Sequence, residues 1–136
     1  MEAVTKFVVD CGVVLRLASE EFEVPPEHEL LAPTLLRSQA LSAVHEAVQR
    51  GDLTRDEGLD RLKRINALPI RLLGDAVLRR RAWDLADKLD WAETYDAEYV
   101  ALTQLQADAF VTLDEELARR VEGVVETATI DALRTA

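Results

Sequence analysis

Apolar and polar positions follow two different periods along this chain. The run Lys6-Phe7-Val8-Val9-Asp10 is apolar and β-branched and stops on a carboxylate, the pattern of a short buried strand. Cys11 and Gly12 follow, and the residues after them predict a short helix over 13–18. A strand, an acid, small residues and a helix describe a βα turn at the carboxyl end of a parallel strand, where open α/β sheets hold their ligands. Residues 19–33 break the pattern. Acids together with Pro25, Pro26 and Pro33 predict an extended connection there, with one helical turn over 27–31.

Leu35, Leu36, Ala40, Ala43, Val44, Ala47 and Val48 recur at three- and four-residue spacing. They predict a helix over 34–50 that Gly51 stops. Thr54 and Glu57 form a capping box for a helix reaching about residue 67, with Leu59, Leu62 and Ile65 inward. Residues 68–73 predict a short strand, which Pro69 confines to an edge or to its own first position. Asp75 predicts the N-cap of an amphipathic helix over 76–88, and a further helix opens at 94–96 and runs to about 106. Residues 109–113 form a second apolar strand pattern, again followed by an acid, Asp114. A short helix over 115–121, a short strand over 124–126 and a terminal turn over 129–133 complete the chain. Strands alternating with helices argue an α/β fold with a largely parallel sheet.

The length, 136 residues, suits one domain spanning 1–136. A hydrophobic content of 49% excludes disorder. No apolar run approaches the roughly 18 residues of a membrane span. One cysteine, Cys11, excludes an internal disulfide framework. The first ten residues lack the long apolar core and small-residue cleavage site of a signal peptide, so a cytoplasmic location is expected.

The formal net charge is −10, which repels polyanions overall. It is unevenly spread. Residues 1–49 carry 3 basic and 8 acidic side chains, 50–81 carry 9 and 5, and 82–136 carry 4 and 13. The basic middle is either a solvated helical face or an anion-facing surface.

The chemistry concentrates on three aspartates. Asp10 and Asp114 each end an apolar strand, and Asp96 sits in the first turn of a helix. In a parallel sheet both strand ends and the starts of the helices share one rim. Carboxylates gathered there repel one another without a counter-ion. Oxygen-only ligation selects Mg²⁺ or Mn²⁺, which activates water and stabilises the oxygens of a phosphodiester. Each aspartate also has a plainer role available, as a helix N-cap or turn residue.

The segments FVVDCGVVLRLA (7–18), APTLLRSQALSAV (32–44) and TYDAEYVALTQLQADAFVTLDEELAR (94–119) together resemble the PIN domain, the nuclease fold of VapC-type toxins. The stretch from Tyr95 to Leu102 matches the family's Y-D-A-x-Y-x-A-L helix start. The stretch from Phe110 to Leu117 matches its [LF]-V-T-x-D-x-x-L. The resemblance covers nearly the whole chain and implies a three-layer α/β/α domain. It implies a Mg²⁺- or Mn²⁺-dependent endoribonuclease, the toxin component of a type II VapBC toxin–antitoxin system. By position, Asp10, Asp96 and Asp114 are the metal-site carboxylates and Thr112 the hydroxyl that orients a ligand or water. The implied partners are an RNA substrate, a small antitoxin whose tail enters the site, and a second copy in a homodimer. One position departs from the family: Gln39 stands where a glutamate is usual, leaving a neutral auxiliary ligand. Glu46, two helical turns on, is too distant to replace it. The alternative is therefore a PIN-fold interaction module with weakened or lost catalysis. A receiver-type phosphotransferase is disfavoured, because a second acid two residues after the first is absent: Asp10-Cys11-Gly12 stands there.

Other residues carry plainer expectations. Cys11 reads as a small buried side chain, and His28 and His45 as surface residues. Trp83 and Trp91 read as core, with a partner-facing groove as the alternative. Arg79, Arg80 and Arg81 either contact phosphates or form a solvated, acid-paired face.

Overall fold

The computed structural model of the chain describes residues 4–20 and 23–135. Strand β1 (Thr5–Val9) leads into α1 (Cys11–Ser19), and β2 (His28–Pro33) into α2 (Leu35–Gln49) and α3 (Arg55–Ala67). Strand β3 (Ile70–Leu73) is followed by α4 (Ala76–Leu89) and α5 (Tyr95–Gln106). Strand β4 (Ala109–Val111), α6 (Glu115–Arg120), β5 (Thr127–Ala128) and a 3₁₀ turn (Ile130–Leu133) complete the fold.

The five strands form one sheet in the order β3-β2-β1-β4-β5, and every pairing is parallel. From β1 to β3 the chain steps outward in one direction; at β4 it jumps back beside β1. Right-handed crossovers therefore put α1, α2 and α3 on one face and α4 and α5 on the other. The contacts agree: α1, α2 and α3 touch one another, while α4 packs on α5, and α5 lies across β1, β2 and β4. The reversal of strand order between β1 and β4 is a topological switch point, which opens a crevice at the carboxyl rim.

Burial follows this layering. Val8 and Val9 of β1, Leu30 and Leu31 of β2, and Phe110 and Val111 of β4 are closed off from solvent on both faces. This is why these strands read as continuous apolar runs rather than alternating ones. Val13, Val14 and Leu17 cover one face, and Ala97, Val100 and Leu102 the other. The capping box at Thr54 is fully formed, with Glu57 N–H donating to Thr54 Oγ1 and Thr54 N–H to Glu57 Oε1. Asp75 caps α4, accepting from Leu78 N–H at 2.8 Å. Strand β3 lies at the sheet edge, as Pro69 requires.

Several sequence expectations change, among them Leu59, which is exposed rather than inward. The segment 19–33, whose residues 21 and 22 lie outside the described residues, is not an extended connection with a helical turn. Residues 28–33 form β2, an inner strand between β1 and β3. Its apolar run, Leu30-Leu31-Ala32, is too short for periodicity to separate strand from helix, and Pro33 closes the strand instead of breaking it. The last strand is β5 at Thr127–Ala128, not 124–126: Val124 and Val125 N–H both donate to the Val121 carbonyl in a turn. The tryptophans are not paired core residues. Trp83 is 62% exposed on α4, and Trp91 lies beyond the helix end, partly packed on the core. His28 is likewise no surface loop residue. It belongs to β2, meets Phe7 edge-on at 5.1 Å and bonds through Nε2 to the Thr135 carbonyl. His45 is exposed, as expected.

Candidate functional site

Parallel pairing aligns β1 with β4 so that Val9 faces Val111. One residue further along, Asp10 and Thr112 emerge side by side at the carboxyl rim. Thr112 Oγ1 donates to Asp10 Oδ2 at 2.5 Å and accepts from Asp114 N–H at 3.1 Å. The other oxygen of Asp10, Oδ1, accepts from Val13 N–H at 3.1 Å and so caps α1. Asp114 Oδ1 accepts from Glu116 and Leu117 N–H, capping α6. Both strand-end aspartates thus have the plainer role as well, and capping is what fixes their side chains at the rim.

Asp96 reaches the same rim from the opposite face. Helix α5 runs back against the strands, so its first turn, with Asp96, lies where β1 and β4 end. Helix α2 starts at this rim too, directly after β2. Gln39 and Tyr99, each the fifth residue of its helix, meet there: Tyr99 O–H donates to Gln39 Oε1 at 2.6 Å. Glu46, further along α2, lines a separate groove with Leu15, Arg50 and Arg61.

Electrostatics tie the three aspartates together. Burial raises the Asp10 carboxyl above its usual range; hydrogen bonds from Thr112 and Val13 offset this, and the charges of Asp96 and Asp114 add to it. Asp96 is also raised, by burial first, against the pull of Arg120, with Asp114 and Glu93 adding repulsion. The Cys11 thiol beside them is pushed up to about 11 by burial and by Asp10, so it stays protonated and inert near neutral pH. Burial also raises the Tyr99 phenol, with Cys11, Asp10, Glu98 and Asp96 contributing, which keeps it a donor to Gln39.

The donor set is all oxygen: three carboxylates and a hydroxyl. That chemistry fits Mg²⁺ or Mn²⁺, and the mutual repulsion of the acids is what such an ion would relieve. Among the described residues, no three His, Cys, Asp or Glu side chains are drawn together into a ready metal cage. Asp96 is instead paired with Arg120, whose Nη2 lies 3.8 Å from its Oδ2. The Arg120 guanidinium also stands 5.2 Å from the centre of the Trp91 ring. These two residues and Tyr99 border the site without having been assigned any role in it from sequence. The only sequence signal was Tyr99 lying three residues after Asp96, on the same helical face.

Part of the basic segment is paired at the surface. Arg50 pairs with Asp52, Arg64 with Asp60, Arg71 with Glu29 and Arg80 with Asp84, and Arg81 bonds to Gln104. These contacts lie at the surface and are spread over several elements.

No protein-family model matches the sequence. No curated protein matches it either. Solved structures do. The structure of PAE2754 from Pyrobaculum aerophilum superposes with a TM-score of 0.72 at 20% identity, over 95% of this chain and 92% of that one. A chain of VapBC-1 from nontypeable Haemophilus influenzae gives 0.64 at 9% identity, over 93% and 99%. A chain of VapBC2 from Rickettsia felis, in a structure bound to a DNA fragment from their promoter, gives 0.67 at 8% identity, over 92% and 98%. These identities carry the fold rather than the activity. The chain accordingly shares the fold of these structures, an all-parallel five-stranded sheet flanked by helices.

Proposed function

We propose that this chain is a Mg²⁺- or Mn²⁺-dependent endoribonuclease acting as the toxin of a VapBC-type pair. The observation that carries it is the convergence of Asp10, Asp96 and Asp114 from three separate elements onto one rim, in a fold shared with chains of two VapBC complexes. Asp10, Asp96 and Asp114 would hold the metal, with Gln39 as a neutral auxiliary ligand. When bound, the ion supplies an activated water and neutralises charge on the phosphodiester.

The chain's own residues prepare that chemistry. Thr112 and Val13 hold the two oxygens of Asp10 in one orientation. Asp114 is fixed by its cap on α6 and leaves its second oxygen uncommitted by any hydrogen bond among the described residues. Asp96 is half-exposed, so its carboxylate remains within reach of an incoming ligand. Tyr99 fixes the amide of Gln39. A cationic tail from a small antitoxin suits so acidic a rim, and a homodimer and cytoplasmic action belong to the same proposal. No helix among the described residues is long and apolar enough to cross a membrane.

Purified protein should cut single-stranded RNA when Mn²⁺ or Mg²⁺ is added, and Asp10→Asn or Asp96→Asn should abolish the cleavage. Equal background cleavage by the wild type and both variants would refute the proposal. A second proposal rests on the Gln39–Tyr99 hydrogen bond, which satisfies the amide oxygen within the protein. In that case the chain is a PIN-fold module that binds a protein partner with little or no catalysis. Calorimetric titration with Mn²⁺ separates the two, since the module would take up no metal at millimolar concentrations.

A further inference from the structure

Arg120 stands out among the groups around the rim. Neither Asp10 nor Asp114 has a cationic partner among the described residues, and Arg120 is the cation that Asp96 has. It projects from the last position of α6, the helix that Asp114 caps. Its guanidinium is held from two sides, by the Asp96 carboxylate at 3.8 Å and by the indole of Trp91 at 5.2 Å. These three residues, with Asp90, Ala92 and Glu93, line a depression of about 440 Å³ beside the acidic rim. Among the described residues, Arg120 is thus the only positive group lining this depression, beside the carboxylates of Asp90, Glu93 and Asp96.

We infer that Arg120 is a built-in counter-ion for Asp96, which a divalent cation must displace, with Trp91 as the face that receives it. The inference rests on the metal-dependent reading of this site. Acids that repel one another across the rim are costly when all are charged. A tethered guanidinium lowers that cost without a metal, so the site can fold empty. A divalent ion carries twice the charge and accepts several oxygens at once, and Asp96 cannot serve both cations fully. Arg120 then loses its carboxylate partner but keeps the indole, since the cation–π attraction does not depend on Asp96. Until the ion arrives, Asp96 is engaged by Arg120. Arg120 is a positioning residue in this scheme, acting through Asp96.

The chain has two tryptophans, so Trp83→Phe, at an exposed position, leaves Trp91 as the sole reporter. Mn²⁺ binding is followed by calorimetry, and Mg²⁺ binding, which does not quench, by Trp91 emission. In the Trp83→Phe protein, Mg²⁺ should shift the Trp91 emission over the same concentration range in which heat is released. Arg120→Met keeps the aliphatic stem and removes the charge. It should tighten Mn²⁺ binding by up to about fivefold, the range of a half-exposed ion pair, and should abolish the Mg²⁺-dependent shift. Arg120→Lys should retain the weaker wild-type affinity. Unchanged or weaker Mn²⁺ binding by Arg120→Met overturns the inference while leaving the metal site standing, as does a Trp91 signal indifferent to bound Mg²⁺. Failure of both wild type and Arg120→Met to bind either ion overturns the metal-dependent reading and this inference with it.

Discussion

The hydroxyl of Thr112 lies 2.5 Å from Asp10 Oδ2 and at the same time accepts from the Asp114 N–H. One side chain thus ties the ends of two parallel strands together and links two of the three aspartates. The register of β1 against β4 makes the contact unavoidable, because Val9 faces Val111 and the next residues emerge together.

Thr112→Val keeps the shape but removes this bridge. It leaves a half-buried carboxylate oxygen and a backbone N–H without their partner, a loss of about 1–3 kcal/mol. Urea unfolding of the metal-free protein should show that loss, and Thr112→Ser should recover most of it. A Val variant as stable as the wild type would mean that water replaces the hydroxyl at no cost.

The pH dependence follows from Asp10. Its carboxyl is raised in the folded protein, by burial first, so folding disfavours its charged form. That group's stabilising effect is complete below the unfolded aspartate value of about 4. It is lost as pH rises through the higher folded value. Asp10→Asn keeps an oxygen for Val13 N–H and carries no charge. Its melting temperature in EDTA should therefore gain on the wild type as pH rises from 3 to 7. A gap constant across that range would contradict the assignment. Mg²⁺ should stabilise the wild type at pH 7 and leave Asp10→Asn nearly unchanged.

Gln39→Glu adds a fourth carboxylate to the rim while retaining an oxygen for the Tyr99 hydroxyl. Ligand charge sets the affinity of oxygen sites for hard cations, and a gain of about tenfold or more in Mn²⁺ affinity is expected. Without metal, the same change should lower the melting temperature through added repulsion. Calorimetry and thermal melts with and without EDTA test the two halves separately.

Thr54→Ala provides a control far from the rim. Its hydroxyl accepts from the Glu57 N–H, whereas the other arm is donated by its backbone N–H and survives the change; loss of the hydroxyl should cost about 1 kcal/mol in urea unfolding. Metal affinity should not change. A change there would show that α3 is coupled to the site.

Much of this architecture is legible along the chain. The βα turn at Asp10, the capping box at Thr54, the cap at Asp75, the helix opening at Tyr95 and the edge position imposed by Pro69 are local effects. Each depends on a few neighbouring residues and their hydrogen bonds, so short patterns specify them. The placing of Asp10, Asp96 and Asp114 on a common rim was also readable, because strand ends and helix starts share one side of any parallel sheet. The inner strand β2 was not. Leu30-Leu31-Ala32 becomes a strand because β1 and β3 pair with it on both sides, and no residue within the segment encodes that. The Tyr99–Gln39 bond and the Arg120–Asp96–Trp91 contact depend on which helices cross at the switch point. Those partners lie 60, 24 and 29 residues apart in sequence. Local sequence determined the acids and where each would emerge; only the packing of α2, α5 and α6 around the rim decided which neutral and cationic groups would answer them.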